Sequence, residues 1–146
     1  MPPDLSSGPE NPALSELLDR IMPADSEAIA AVVDAISEIL TSLHVPEQKR
    51  FEVALAVQEA LANAVVHGCG NDPSKKVRCR MKADPQGRIV ISVTDPGPGF
   101  SPEQLADPKR GENLHADHGR GVYLIRQLMD EVHFGRSGNE IRMWKY

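Results

Sequence analysis

The stretch QEALANAVVHG, residues 58 to 68, limits what this chain can fold into more than any other. Its Ala, Val and Leu positions make a helix that is apolar nearly all round, and such a helix belongs inside a domain. Yet Glu59, Asn63 and His67 recur in it at fourfold spacing. Together with Glu52 they cluster within about a quarter of the helix circumference. Polar groups on a buried helix need partners. On a solvated face each would be an ordinary surface residue. The small neighbours Ala56, Ala60 and Ala64 argue instead for room left above the stripe for a ligand.

The surrounding chain has the length of one ordinary domain, 146 residues, enough to bury a single core. Its net charge of −5 argues against binding nucleic acid or an anionic membrane, which both call for a basic surface. Cys69 and Cys79 match no zinc or CxxC spacing and read as free thiols. The N-terminal residues lack the pattern of a signal peptide, and no apolar run has the length of a membrane span, so the expected location is the cytoplasm.

Residues 1–14, rich in Pro, Ser and Asn, read as a disordered tail before one domain over 15–146. SELLDRIM (15–22) fits either an edge strand or a helical turn. Asp25 is placed to cap a helix whose apolar face is Ile29, Val32, Val33, Ile36, Ile39, Leu40 and Leu43. Pro46 suits the first turn of a second helix running to Gly68. Segments 76–84 and 88–95 form a hairpin about Pro85-Gln86-Gly87. Residues 96–118 show no periodicity, and a stretch of about twenty such residues in a small domain reads as a functional lid or as disorder. Residues 121–132 are helical, and two short strands about 135–139 close the chain. The order predicts an α+β two-layer sandwich, with helices on one face of a mixed, mostly antiparallel sheet.

Two further motifs carry chemistry. TDPGPGF (94–100) ends a strand on Asp95 and follows it with Gly97 and Gly99, which permit close backbone approach to something flat. A strand-end aspartate there can accept from an amino group; alone, the motif equally describes a tight turn capped by Asp. HGRGVYLI (118–125) leads Gly119, Arg120 and Gly121 into a helix. Free N–H groups, the positive helix end and a guanidinium together suit phosphate.

In this order, Glu-xxx-Asn, Asp-x-Gly-x-Gly and Gly-x-Gly resemble the N, G1 and G2 boxes of the gyrase and histidine-kinase (GHKL, or Bergerat) ATP-binding domain. The wording of all three is similar to the bacterial anti-sigma-factor serine/threonine kinases, over roughly residues 16 to 145. The resemblance implies ATP and Mg²⁺ as cofactors, with Asn63 as metal ligand and Glu59 as general base. It implies Asp95 on the adenine amino group, and Gly97, Gly99, Phe100, His67 and Val122 in the nucleotide site. Gly119, Arg120 and Gly121 would wrap the phosphates beneath a lid over 101–118, to which Lys109, Arg110 and His115 bring basic groups. The implied partners are a sigma factor and an anti-anti-sigma antagonist carrying the substrate Ser or Thr, with the chain acting as a homodimer. The chain departs from the family where a threonine on the final strand commonly helps to hold the adenine; it reads Gly138-Asn139-Glu140, with Asn139 as the hydrogen-bonding group available to substitute. A nucleotide-gated binding module that transfers nothing would need Asn63, Asp95 and the glycines but not Glu59. A sensor histidine kinase fragment is disfavoured, because His44 lies in a helix–helix break and not on a dimerising hairpin.

Overall fold

The computed structural model describes residues 14–97, 116–135 and 139–146, with residues 116–120 described by their backbone alone. The tail expected over 1–14 therefore falls, apart from Leu14, outside the described residues, as do Gly99, Phe100 and lid positions 101–115.

Strand β1 (Ser15–Pro23) precedes helices α1 (Ser26–Ser42) and α2 (Glu47–Asn63). Strands β2 (Lys76–Ala83) and β3 (Ile89–Thr94), helix α3 (Ala116–Leu128) and strands β4 (Glu131–Phe134) and β5 (Glu140–Lys145) follow. The strands form one sheet in the order β1-β2-β3-β5-β4. Every ladder is antiparallel, so the parallel pair that a mixed sheet would contain is not found among the described strands. Helix α2 packs between α1 and α3. Ile36, Leu40, Val53, Val57, Leu61, Met81, Ile91, Ile125 and Met143 share one fully buried core between the helices and the sheet.

Local chemistry accounts for most boundaries. Asp25 caps α1 by accepting from the Glu27 N–H at 2.9 Å. Ile29, Val32, Ile36 and Leu40 are buried, while Leu43, expected on the same face, caps the helix and stands half exposed. Pro46 is the N-cap of α2 and not its first helical residue. The 15–22 segment is an edge strand. A register shift between Glu16 and Leu18 breaks its alternation, which is why its periodicity does not distinguish strand from helix.

Two sequence expectations are corrected. Residues 131 and 132 are not helical: the Asp130 N–H bonds to the Trp144 carbonyl, and Glu131 and Val132 pair with Trp144 and Met143. Tertiary pairing overrides the helical pattern there. Helix α3 also begins at Ala116, so the backbone of Gly119, Arg120 and Gly121 lies inside the helix and not before it.

The β2–β3 turn hangs on the buried Asp84. Its carboxylate accepts from the Gln86 N–H at 3.0 Å, the Arg88 N–H at 2.9 Å and Arg88 Nε. Burial opposes its ionisation, but these donors outweigh burial and hold the carboxyl below its usual 3.8. A carboxyl with a lowered folded-state pKa stabilises above the unfolded value and loses that contribution as pH falls through the folded one. Asp84→Ala is expected to cost about 1–3 kcal/mol at neutral pH, because it leaves the turn's donors unpaired. In denaturant titrations, the gap to the wild type should close as pH drops below 3.8.

Candidate functional site

The polar stripe of α2 divides once folded. Glu52 faces Lys145 Nζ at 3.2 Å, and that ammonium also donates to the Leu128 carbonyl, so Glu52 ties α2 to β5 and the end of α3. It belongs to the scaffold. Ala56 is fully buried in the core and does not border the cleft. Glu59 and Asn63 are half-buried where α3 crosses α2. A Cβ placed on Gly121 would lie 3.0 Å from Asn63 Nδ2 and 3.3 Å from Glu59 Oε2. Glycine at 121 is therefore what lets the α3 backbone reach both polar groups. His67 stands exposed on the far turn, away from the cleft lining.

Beyond Asn63 the helix changes pitch. Ala64–Gly68 is a π turn, with the Cys69 N–H bonded to the Ala64 carbonyl at 2.9 Å. Such turns are rare and frequent at functional sites. This one carries Gly68 beneath Asp95: a Cβ at Gly68 would overlap the Asp95 carboxylate, and one at Gly97 would overlap the Gly68 carbonyl. Asp95 Oδ1 accepts from the Gly97 N–H at 2.7 Å. Burial pushes the Asp95 carboxyl above its usual range, against that hydrogen bond.

Ala60, Asn63, Ala64, Val93, Asp95 and Val122 line a narrow cleft open to solvent. Its free space is about 20 Å³, room for roughly one water, so a ligand larger than that must part the walls. Phe134, Asn139, Glu140 and Ile141 complete the wall from β4 and β5. An apolar slot with one half-buried carboxylate at its floor and an amide at its mouth suits a flat base bearing an amino group. Adenine suits these groups: aliphatic walls for the ring and one acceptor for its amino hydrogens, with glycines at 68 and 97 leaving room for that carboxylate.

The sequence profile of the histidine kinase-like ATPase domain matches residues 22–145. The chain belongs to this family. It is 26% identical over 139 residues to the serine-protein kinase RsbW of Bacillus subtilis, covering 90% of this chain and 86% of that protein. It is 28% identical over 113 residues to the anti-sigma F factor of Oceanobacillus iheyensis, covering 75% and 74%. The fold is that of a Mycobacterium tuberculosis structure containing RsbU and RsbW domains, with a TM-score of 0.58 and 17% identity over 88% of this chain and 32% of that one. It is shared with the histidine kinase domain of a blue-light activated kinase from Erythrobacter litoralis, with a TM-score of 0.55 and 21% identity over 84% and 60%. The chain thus spans less than two thirds of both solved chains.

In this member of the histidine kinase-like ATPase family, sequence reasoning takes Gly68 only as a helix stop. It misses the glycine's role as the floor under Asp95, which depends on a segment 27 residues further on. It also misses Phe134 and Glu140, which reach the cleft only through the β4–β5 pairing. The lid positions Lys109, Arg110 and His115 and the side chain of Arg120 lie outside the described set. Both cysteines are free and buried, and burial pushes the Cys79 thiol up to about 12, which keeps it protonated.

Two outcomes follow. Gly68→Ala forces the Asp95 carboxylate aside, so calorimetry should show ATP affinity falling about tenfold or more, as when a charged acceptor is lost. Its thermal midpoint should stay near wild type, because the clash is relieved by a side chain. Asp95→Asn should weaken ATP similarly, yet raise or preserve the midpoint of the ligand-free protein at neutral pH. A carboxyl whose folded pKa is raised incurs no penalty below its usual 3.8 and a full one once pH exceeds the raised value. The advantage of the amide should therefore vanish on acidification.

Proposed function

We propose that this chain is an ATP- and Mg²⁺-dependent serine/threonine protein kinase that acts as an anti-sigma factor and phosphorylates an anti-anti-sigma antagonist. The observation that carries this reading is the half-buried Asp95 carboxylate on its glycine floor, across an apolar cleft from Asn63 and Glu59. Family membership and the names of the related proteins support it.

A physical argument supports each proposed role. Asp95 accepts from the adenine amino group, and Ala60, Ala64, Val93, Val122 and Ile141 exclude water from the ring. Asn63, the residue immediately before the π turn, offers its amide oxygen to Mg²⁺. One or two protein ligands suffice for that ion, since phosphates and water complete its shell. The bound ion would neutralise charge on the phosphates. Gly121 lies where α3 meets Asn63, and the backbone of Gly119 to Gly121 is proposed to face the same phosphates, together with Arg120, Gly99, Phe100 and the lid segment that precedes α3. Glu59 takes the proton of the partner's Ser or Thr hydroxyl, which must arrive at the open side of α2 beside the exposed Val66 and His67.

Two copies are proposed to associate through β1 and the neighbouring α1, β1 being a nine-residue edge of the sheet. Among the described residues no helix is long and apolar enough to cross a membrane. The proposed site of action is the cytoplasm.

The test is a titration with ATP in Mg²⁺ and then EDTA, followed by transfer to a purified antagonist protein. Glu59→Ala should leave the ATP Kd unchanged and cut phosphoryl transfer by about 10²–10⁴-fold, the usual worth of a positioned base. Unchanged partner regulation in that variant would sink the kinase reading and leave a nucleotide-gated binding module. Asn63→Ala should lose the Mg²⁺-dependent part of binding.

A further inference from the structure

Asn139 reaches the cleft from the start of β5, and both of its described hydrogen bonds end on Asp95. Thr94 and Glu140 are register partners at the end of the β3–β5 ladder, so Asp95 and Asn139 are the next pair along. Backbone pairing supplies one bond, from the Asp95 N–H to the Asn139 carbonyl at 3.0 Å. The side chain supplies another: Asn139 Nδ2 donates to the Asp95 carbonyl oxygen at 2.9 Å.

That oxygen belongs to the Asp95–Pro96 peptide, and Pro96 has no N–H with which to anchor its own plane. Holding the carbonyl therefore fixes ψ of Asp95 and the direction in which Pro96 and Gly97 leave the strand. The Gly97 N–H then reaches back to Asp95 Oδ1 at 2.7 Å, while Gly68 blocks the space below. Of these restraints on the carboxylate, the Asn139 amide is the one made by a side chain from another strand, 44 residues away.

We propose that Asn139 is a positioning residue for base selection: it aims the Asp95 carboxylate at the 6-amino group by holding the Asp95 main-chain carbonyl. This rests on the adenine role proposed for Asp95. It gives the last strand a different task from a direct contact with the base, although Asn139 borders the cleft.

Calorimetry with two probes tests it: ATP, and purine riboside triphosphate, which lacks the 6-amino group. Wild type should prefer ATP by about tenfold or more, the worth of one hydrogen bond to a charged acceptor. Asn139→Ala, and the isosteric Asn139→Asp that cannot donate, should lose most of that preference while binding the purine analogue nearly as before. In an Asp95→Ala background, Asn139→Ala should change the ratio no further, as expected of two residues acting through one interaction. The proposal is overturned if the single variants keep the wild-type ratio, or if they lose both nucleotides equally, which is a merely structural effect. It is equally overturned by a further loss in the double variant, which would mean that Asn139 touches the base itself. A wild type that binds ATP without preferring it would instead remove the adenine role of Asp95. Failure of that reading is thus distinct from failure of the inference built on it.

Discussion

The contact of the Asp95 carboxylate with the Cα of Gly68 is the constraint around which the site is arranged. A charged group half withdrawn from water is costly unless it is held by donors, and here the Gly97 N–H holds it. For the carboxylate to sit that low, the C-terminal end of α2 must present bare backbone. For the turn after β3 to clear α2, position 97 must be bare as well, because a Cβ there would meet the Gly68 carbonyl. The π turn sets the end of α2 at the right height. A site so tightly interlocked cannot take other residues at 68 or 97 without displacing the groups around the carboxylate. It also keeps a carboxyl in a place that folding alone would disfavour, as expected where function outweighs stability.

The scaffold makes this possible by keeping α2 rigid. Its apolar sides are buried, between α1 on one flank and α3 on the other, with β3 beneath. The Glu52–Lys145 pair fastens its N-terminal half to β5. Glu47, Gln48, Phe51 and Gln58 face solvent, and the polar groups that α2 presents where α3 crosses it at a glycine are Glu59 and Asn63. The proposed binding and transfer roles of Glu59, Asn63 and Asp95 therefore sit on, or directly beside, regular elements.

Much of this was legible beforehand, and the limits have physical causes. Helices α1 and α2 were readable because 3.6-residue periodicity is a local property, and Asp25 and Pro46 punctuate it. The three boxes were readable because each is a contiguous string with a recognisable chemistry. The end of α3 was not, since Glu131 and Val132 suit a helix locally and become strand only because Trp144 and Met143 offer them a ladder. Nor was β1 settled, because its bulge sets Leu17 and Leu18 side by side. Glu52 was drawn into the polar stripe by helical geometry alone. The angular reading was sound, but only the fold could show Lys145 waiting opposite.

The sequence by itself thus determined helices α1 and α2, the β2–β3 hairpin, the α+β class, and which residue types suit nucleotide chemistry, because these follow from spacing within one segment. Only the tertiary structure decided which of those residues meet. Gly68, Asp95 and Asn139 come from the end of a helix, the end of a strand and the start of another, and no local pattern relates them. Their meeting is fixed by the β3–β5 register and by the packing of α2 on the sheet. Register and packing depend on burying the whole core at once, so they exist only when the chain is folded.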